Sequence, residues 1–332
     1  MTEGSPDEPR IQADAVMAPM AINGGMESAD LDHALNPYLS KITEQDIFSG
    51  VVLIAREGRT VFQKAYGFAD RAHGIPNTTH TRFNLGSINK TFTQQAIDQL
   101  VAEGNLAYSD MLGTLFPDYP QEISRAATVE QLLNNTAGLT DLFGPEFSQA
   151  AKDQFRSNAD FFRFASTLPP LFPPGSDQHH CNGCYIALGA IVELVSGVPY
   201  EEYVTEHVYE PAGMTDTGFP HADGIEPNLA LGYTRRPANG ALRSNIFLHG
   251  AAGSAAGGGF STSEDLLAYV RARRDGRLPG GPIRGVIVGG QAGVNTTVQA
   301  NDVWTVIVLT NLDPPIAQQV GTAIMEALTG RS

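Results

Sequence analysis

Apolar residues recur along this chain with two different periods. On the N-terminal side, Gly50-Val51-Val52-Leu53-Ile54-Ala55 and Thr60-Val61-Phe62-Gln63-Lys64-Ala65-Tyr66-Gly67 flank Arg56-Glu57-Gly58-Arg59. Two β-branched, apolar runs around a glycine-containing turn predict a hairpin. Far along the chain, residues 303–311 form another such run. Elsewhere the spacing is helical: residues 31–42, 91–103 before Gly104, 129–133, 185–196 before Gly197, an amphipathic stretch at 200–209, and 316–328 after Pro314 and Pro315. Glycine just past a periodic run is a helix stop. Strands near both ends with helices between them predict an α+β fold. We expect an antiparallel sheet formed from N- and C-terminal strands, flanked by helices, with an inserted helical region at about residues 85–265.

Composition adds boundaries. The chain has 332 residues, 42% hydrophobic and 17% charged, which is enough for a sizeable core. Residues 1–30 differ from the rest: four of the seven methionines fall there, among prolines, glycines and acids. They lack a basic segment followed by a long apolar one, so they read as a disordered leader and not as a secretory signal. The expectation is a single domain over 31–332 and a cytoplasmic location. The net charge of −15 argues against nucleic-acid and anionic-membrane partners, which call for basic patches. No apolar run approaches the ~20 residues that span a bilayer. Two cysteines are too few for a disulfide framework. The expected partner is a small-molecule substrate, with no cofactor.

Candidate chemistry centres on Phe83-Asn84-Leu85-Gly86-Ser87-Ile88-Asn89-Lys90-Thr91-Phe92. Ser87 and Lys90 are three apart, so a helix starting near Ser87 places both side chains on one face. The helix N-terminus and partial burial both disfavour a protonated lysine. A neutral amine beside a hydroxyl takes its proton and makes a nucleophile. The bland alternative is an N-cap serine followed by an exposed lysine. A phosphate loop is disfavoured because Asn89 stands where glycine is required and the first glycine is missing. No Gly-x-Ser-x-Gly elbow occurs.

The context resembles the β-lactamase-related serine hydrolases, which include class C β-lactamases, family VIII esterases and D-amino-acid peptidases. The residues that carry the likeness come in family order. They are the Ser87 segment, Leu132-Leu133-Asn134-Asn135-Thr136-Ala137-Gly138-Leu139, Phe172-Pro173-Pro174-Gly175, Pro211-Ala212-Gly213-Met214-Thr215-Asp216-Thr217 and Gly257-Gly258-Gly259-Phe260-Ser261-Thr262-Ser263-Glu264-Asp265-Leu266. The resemblance implies a β-lactamase/transpeptidase-like fold and an acyl-enzyme mechanism on an ester, amide or β-lactam-like substrate. Ser87 is the implied nucleophile and Lys90 its base.

Two motifs depart from the family. Where it has Tyr-x-Asn, this chain has His180-Cys181-Asn182. The resemblance implies that Asn182 orients the lysine or binds substrate. His180 then stands in the tyrosine position as a candidate general base and acid; His179 is the adjacent alternative, and polar filling of a loop is the bland one. The family's Lys-Thr-Gly or His-x-Gly strand corresponds to Ile287-Val288-Gly289-Gly290. Ile287 removes the cation that would meet a substrate carboxylate, which favours small neutral esters or amides. Gly289 and Gly290 are candidate substrate-binding positions, the Gly290 amide pairing with that of Ser87 in an oxyanion hole; close packing is the other reading. The connection from Arg274 to Gly285 is also shorter than in the family. A non-catalytic binding protein on the same fold is therefore the alternative. Cys181 and Cys184 form one Cys-x-x-Cys beside two histidines, too little for a zinc site to be expected.

Overall fold

The computed structural model describes residues 22, 28–235 and 241–330. Helix α1 (Ser28–Glu44) leads into strands β1 (Gly50–Arg56) and β2 (Arg59–Tyr66). The middle of the chain is mostly helical and includes α2 (Asn89–Ala102), α3 (Asn182–Ser196) and α4 (Ser263–Arg274). It returns through β3 (Gly285–Gln291), β4 (Val294–Ala300) and β5 (Trp304–Thr310) to α5 (Ile316–Thr329). The sheet order is β2-β1-β5-β4-β3, with every neighbouring pair antiparallel. The N-terminal hairpin and the C-terminal strands thus meet at β1 and β5, as the two outlying strand signals predict.

The period-two pattern sorts the core into two layers. Val51 lies opposite Leu309 and Leu53 opposite Ile307; all four are buried with the helical region. The alternate pairs, Val52 with Val308 and Ile54 with Val306, are buried with Leu35, Leu39, Ile316, Val320 and Ile324. Helices α1 and α5 therefore cover one face and the inserted region covers the other. A register slip of one residue would exchange the two layers, so the pairing is strongly specified.

Some boundaries differ from expectation. Helix α1 begins at Ser28, and Ile22 is buried in the layer with α1 and α5, so the leader assigned to residues 1–30 is too long. The rest of that stretch, 1–21 and 23–27, lies outside the described residues. The amphipathic run at 200–209 is not one regular helix: Tyr200–Val204 is α-helical and Thr205–Tyr209 is a π-helical turn.

Two contacts lock the start of α2 against the loop before α4, and a third ties it to Tyr200 within the helical region. Buried Asn89 accepts from the Gly259 amide (3.1 Å). Thr93 donates to the Ala255 carbonyl (2.7 Å) and shares a hydrogen bond with the Tyr200 hydroxyl (2.7 Å). They hold the start of α2 and residues 255–259 as one unit.

Candidate active site

Ser87 sits in a 3₁₀ turn, Gly86–Ile88, that opens into α2. Gly86 has φ +52°, a left-handed conformation that favours glycine. Its amide donates to Asn84 Oδ1 (2.9 Å). A Cβ on Gly86 would lie 2.9 Å from the Gly290 amide nitrogen. A Cβ on Gly289 would overlap the Leu85 carbonyl oxygen and lie 2.9 Å from Ser87 N. Close backbone approach is thus why glycines stand on both sides of this seam. The two β3 glycines differ in place. Gly290 lines the cavity that Ser87 opens into, whereas Gly289 is the point at which β3 packs against the 3₁₀ turn.

Lys90 projects from the first turn of α2. Its Nζ lies 2.8 Å from Ser87 Oγ, 2.6 Å from Asn182 Oδ1 and 2.9 Å from the Ala256 carbonyl. The Tyr185 ring centroid is 5.5 Å away. Burial pushes the lysine down to about 8, and the Asp141 carboxylate opposes that shift. The spacing of three therefore does what it predicts: hydroxyl and amine meet, and the amine is poised to be partly neutral near neutral pH.

Asn182 is the first residue of α3. Its Oδ1 accepts from Lys90, and its Nδ2 donates to Asp141 Oδ1 (2.7 Å). His180 lies just outside the helix, and its Nδ1 is 2.8 Å from Asp141 Oδ2. Among the described residues, no hydrogen bond joins His180 to Ser87 or Lys90. His180 shares the cavity with Ser87 instead, and its side chain is 60% exposed. His179 turns back onto the His180 carbonyl (3.0 Å). Asp141 is held low by its hydrogen bonds from His180 and Asn182, which outweigh its burial. Sequence reasoning does not single out Asp141, although it follows the Gly138-Leu139 pair of a quoted segment by two residues. The Ala256 carbonyl, just before the glycine run, is equally silent because it acts through backbone.

The cavity has a volume of about 750 Å³. Phe143, Phe161 and Ile246 contribute apolar surface to it, and Asp70 and Glu226 contribute carboxylates. Among the described residues that line it there is no lysine or arginine. Ile287 points elsewhere, packing on the core beneath the sheet. Cys181 and Cys184 are joined by a disulfide, so two cysteines do pair here although they make no framework. Both are buried, and the Cys184 amide donates to Cys181 Sγ (3.0 Å) at the start of α3. Among the described residues, no group of three or more potential metal ligands exists, and no single helix is long and apolar enough to cross a membrane.

The sheet joining the chain ends and the inserted helical region superimpose on a solved structure. The penicillin-binding protein from Bacillus halodurans superimposes with a TM-score of 0.77 at 29% identity, covering 86% of this chain and 98% of that one. The Beta-lactamase family profile matches residues 22–302, and the chain belongs to that family. The chain is 32% identical over 208 residues to the putative penicillin-binding protein PbpX of Bacillus subtilis (strain 168), covering 63% of this chain and 50% of that protein. It is 28% identical over 269 residues to esterase EstB of Burkholderia gladioli, covering 70% of this chain and 67% of that protein. The chain therefore spans about half the length of PbpX.

Proposed function

We propose that this protein is a serine hydrolase that cleaves small neutral esters or amides through an acyl-enzyme on Ser87. The observation that carries this reading is the 2.8 Å contact between Ser87 Oγ and a lysine whose pKa is lowered to about 8. In acylation, neutral Lys90 Nζ takes the Ser87 proton as the Oγ–C bond forms. Nζ then gives that proton to the leaving oxygen or nitrogen as its bond to carbon breaks. In deacylation, water replaces the leaving group and gives one proton to Nζ as its oxygen attacks. Nζ passes the proton to Ser87 Oγ as the acyl bond breaks, so acid and alcohol or amine are released and the enzyme is restored. Asn182 fixes Nζ throughout. The amides of Ser87 and Gly290 are assigned to the oxyanion, where backbone donors need no side chain.

The substrate class follows from charge. With no lysine or arginine among the described lining residues and Ile287 turned to the core, no permanently charged cation lines the cavity to meet a substrate carboxylate; the lining carboxylates are Asp70, beside His73, and Glu226, paired with Arg82. The esterase among the relatives supports ester turnover. A fluorophosphonate probe is expected to label the protein, and Ser87→Ala to abolish labelling. p-Nitrophenyl acetate is expected to be turned over with a higher kcat/KM than nitrocefin; the reverse order would overturn the neutral-substrate assignment. The second reading, a catalytically impaired homologue acting as a binding protein, is favoured by the lack of a His180–Ser87 hydrogen bond. Well-folded protein that neither labels nor turns over esters would overturn the hydrolase reading in its favour.

A further inference from the structure

One carboxylate touches both the altered and the retained residue of the second motif, His180 and Asn182. Asp141 accepts from the Asn182 amide through Oδ1 (2.7 Å) and faces His180 Nδ1 through Oδ2 (2.8 Å). A third contact, from the Phe143 amide to Oδ1 (3.3 Å), holds the carboxylate in place. Its two oxygens therefore divide between the lysine's partner and the residue that stands where relatives have tyrosine. We infer that Asp141 is a positioning residue for this reaction: it fixes His180 with Nε2 free to accept a hydrogen bond from the deacylating water, and it holds Asn182 with its carbonyl turned to Lys90. This rests on the serine-hydrolase reading above.

The tautomer follows from the geometry. A carboxylate only accepts, so Nδ1 carries a proton, and the neutral tautomer of His180 set by this contact is the one with its lone pair on Nε2. Nε2 has no partner among the described residues, and the ring borders the cavity. A water that gives one proton to Lys90 has a second O–H to place, and Nε2 is the acceptor for it. No proton is transferred to His180, so the balance of the acyl-enzyme cycle is unchanged. The same reasoning turns Asn182: because its Nδ2 donates to Asp141, its Oδ1 is the atom left for Lys90 (2.6 Å). An asparagine with a single amide partner could flip; here both ends are assigned.

Asp141 also acts on Lys90 at a distance. Around Nζ lie the Ser87 hydroxyl, the Asn182 and Ala256 carbonyl oxygens and the Tyr185 ring. Asp141 is the charged group that holds the lysine up against its burial. Around Asp141 itself lie His180, the Asn182 amide and the Phe143 amide. Removing the charge therefore has two opposite signatures. Water orientation is lost, and the lysine deprotonates at lower pH.

The test is Asp141→Asn in the full chain, with Asp141→Glu as the conservative variant. Pre-steady-state turnover of p-nitrophenyl acetate separates acylation from deacylation. Asp141→Asn is expected to slow deacylation up to about 100-fold, the scale of a misplaced reacting group, and to show a larger burst of acyl-enzyme. Asp141→Glu is expected to recover part of that rate. A second readout needs no turnover. The chain has four lysines, so lysine-selective labelling resolves Lys90 by NMR, and its titration midpoint is expected to fall in Asp141→Asn. A loss that was merely structural would lower the thermal midpoint without moving the lysine. Wild-type turnover with an Asp141→Asn variant unchanged in deacylation and in Lys90 midpoint would overturn the inference and leave the hydrolase reading standing. Wild-type protein that does not acylate at all would remove both.

Discussion

At the scale of single residues, the proposed mechanism makes the protonation of Lys90 decide when Ser87 is a nucleophile. The amine is active only when neutral, and burial brings its pKa down to about 8. Activity is therefore lost as pH falls through that value and gained as it rises. The expected profile of kcat/KM for a neutral ester is an ascending limb with a midpoint near 8, set by this group. Lys90→Arg keeps the charge but cannot deprotonate. It is expected to lower kcat/KM by at least about 100-fold, the lower range for a lost general base, and to erase that limb in a stopped-flow pH series. Ser87 and Lys90 are legible in the sequence through their spacing of three, and Asn182 through the resemblance to the family's Tyr-x-Asn motif. Asp141 is not, because it meets Asn182 across 41 positions and only the fold brings them together. His180 is half legible: its position can be read from the motif, but the carboxylate that turns its ring cannot.

At the scale of elements, the start of α3 carries an unusual load. Its first three residues and the two before them supply Asn182, His180 and a disulfide. The closed loop is very short, so the chain-entropy gain is small, about 2 kcal/mol. Cys181→Ser combined with Cys184→Ala is expected to lower unfolding free energy by about that amount in urea titrations, since serine still caps the helix. Sequence spacing finds α2, α3 and α5 well, because apolar periodicity and terminal glycines mark them. It misses the π-helical turn at Thr205–Tyr209, where an extra residue per turn leaves no compositional trace. It also leaves Gly289 and Gly290 ambiguous between packing and chemistry. The structure divides them: Gly289 makes the approach possible and Gly290 presents its backbone to the cavity.

At the scale of the whole molecule, the sheet is one body shared by both ends of the chain. Strand β5 is buried throughout and pairs with β1 on one side and β4 on the other. The antiparallel arrangement is readable from the hairpin and the C-terminal run, whereas the strand order is not, since alternation fixes faces and not neighbours. Helix α5 closes the outer layer through Ile316, Val320 and Ile324. Ile324→Ala, a fully buried truncation, is expected to cost about 2–5 kcal/mol. Because the site bridges the sheet and the helical region, esterase activity and far-UV circular dichroism are expected to melt together in that variant; activity surviving well past the structural transition would show the two regions to be independent.

The seam between Gly86 and Gly290 has a consequence for how the protein comes into being. Ser87 and Lys90 leave the ribosome well before the strand that supplies the Gly290 amide, an edge strand that reaches the sheet only through β4 and β5. The last of these, Trp304–Thr310, is also the last to be synthesised. A nascent chain thus carries its nucleophile long before it carries a place to hold the charge that attack creates. On the proposed mechanism, hydrolysis begins only after β5 has left the ribosome and paired, and a chain cut short before that strand is harmless to whatever esters or amides surround it.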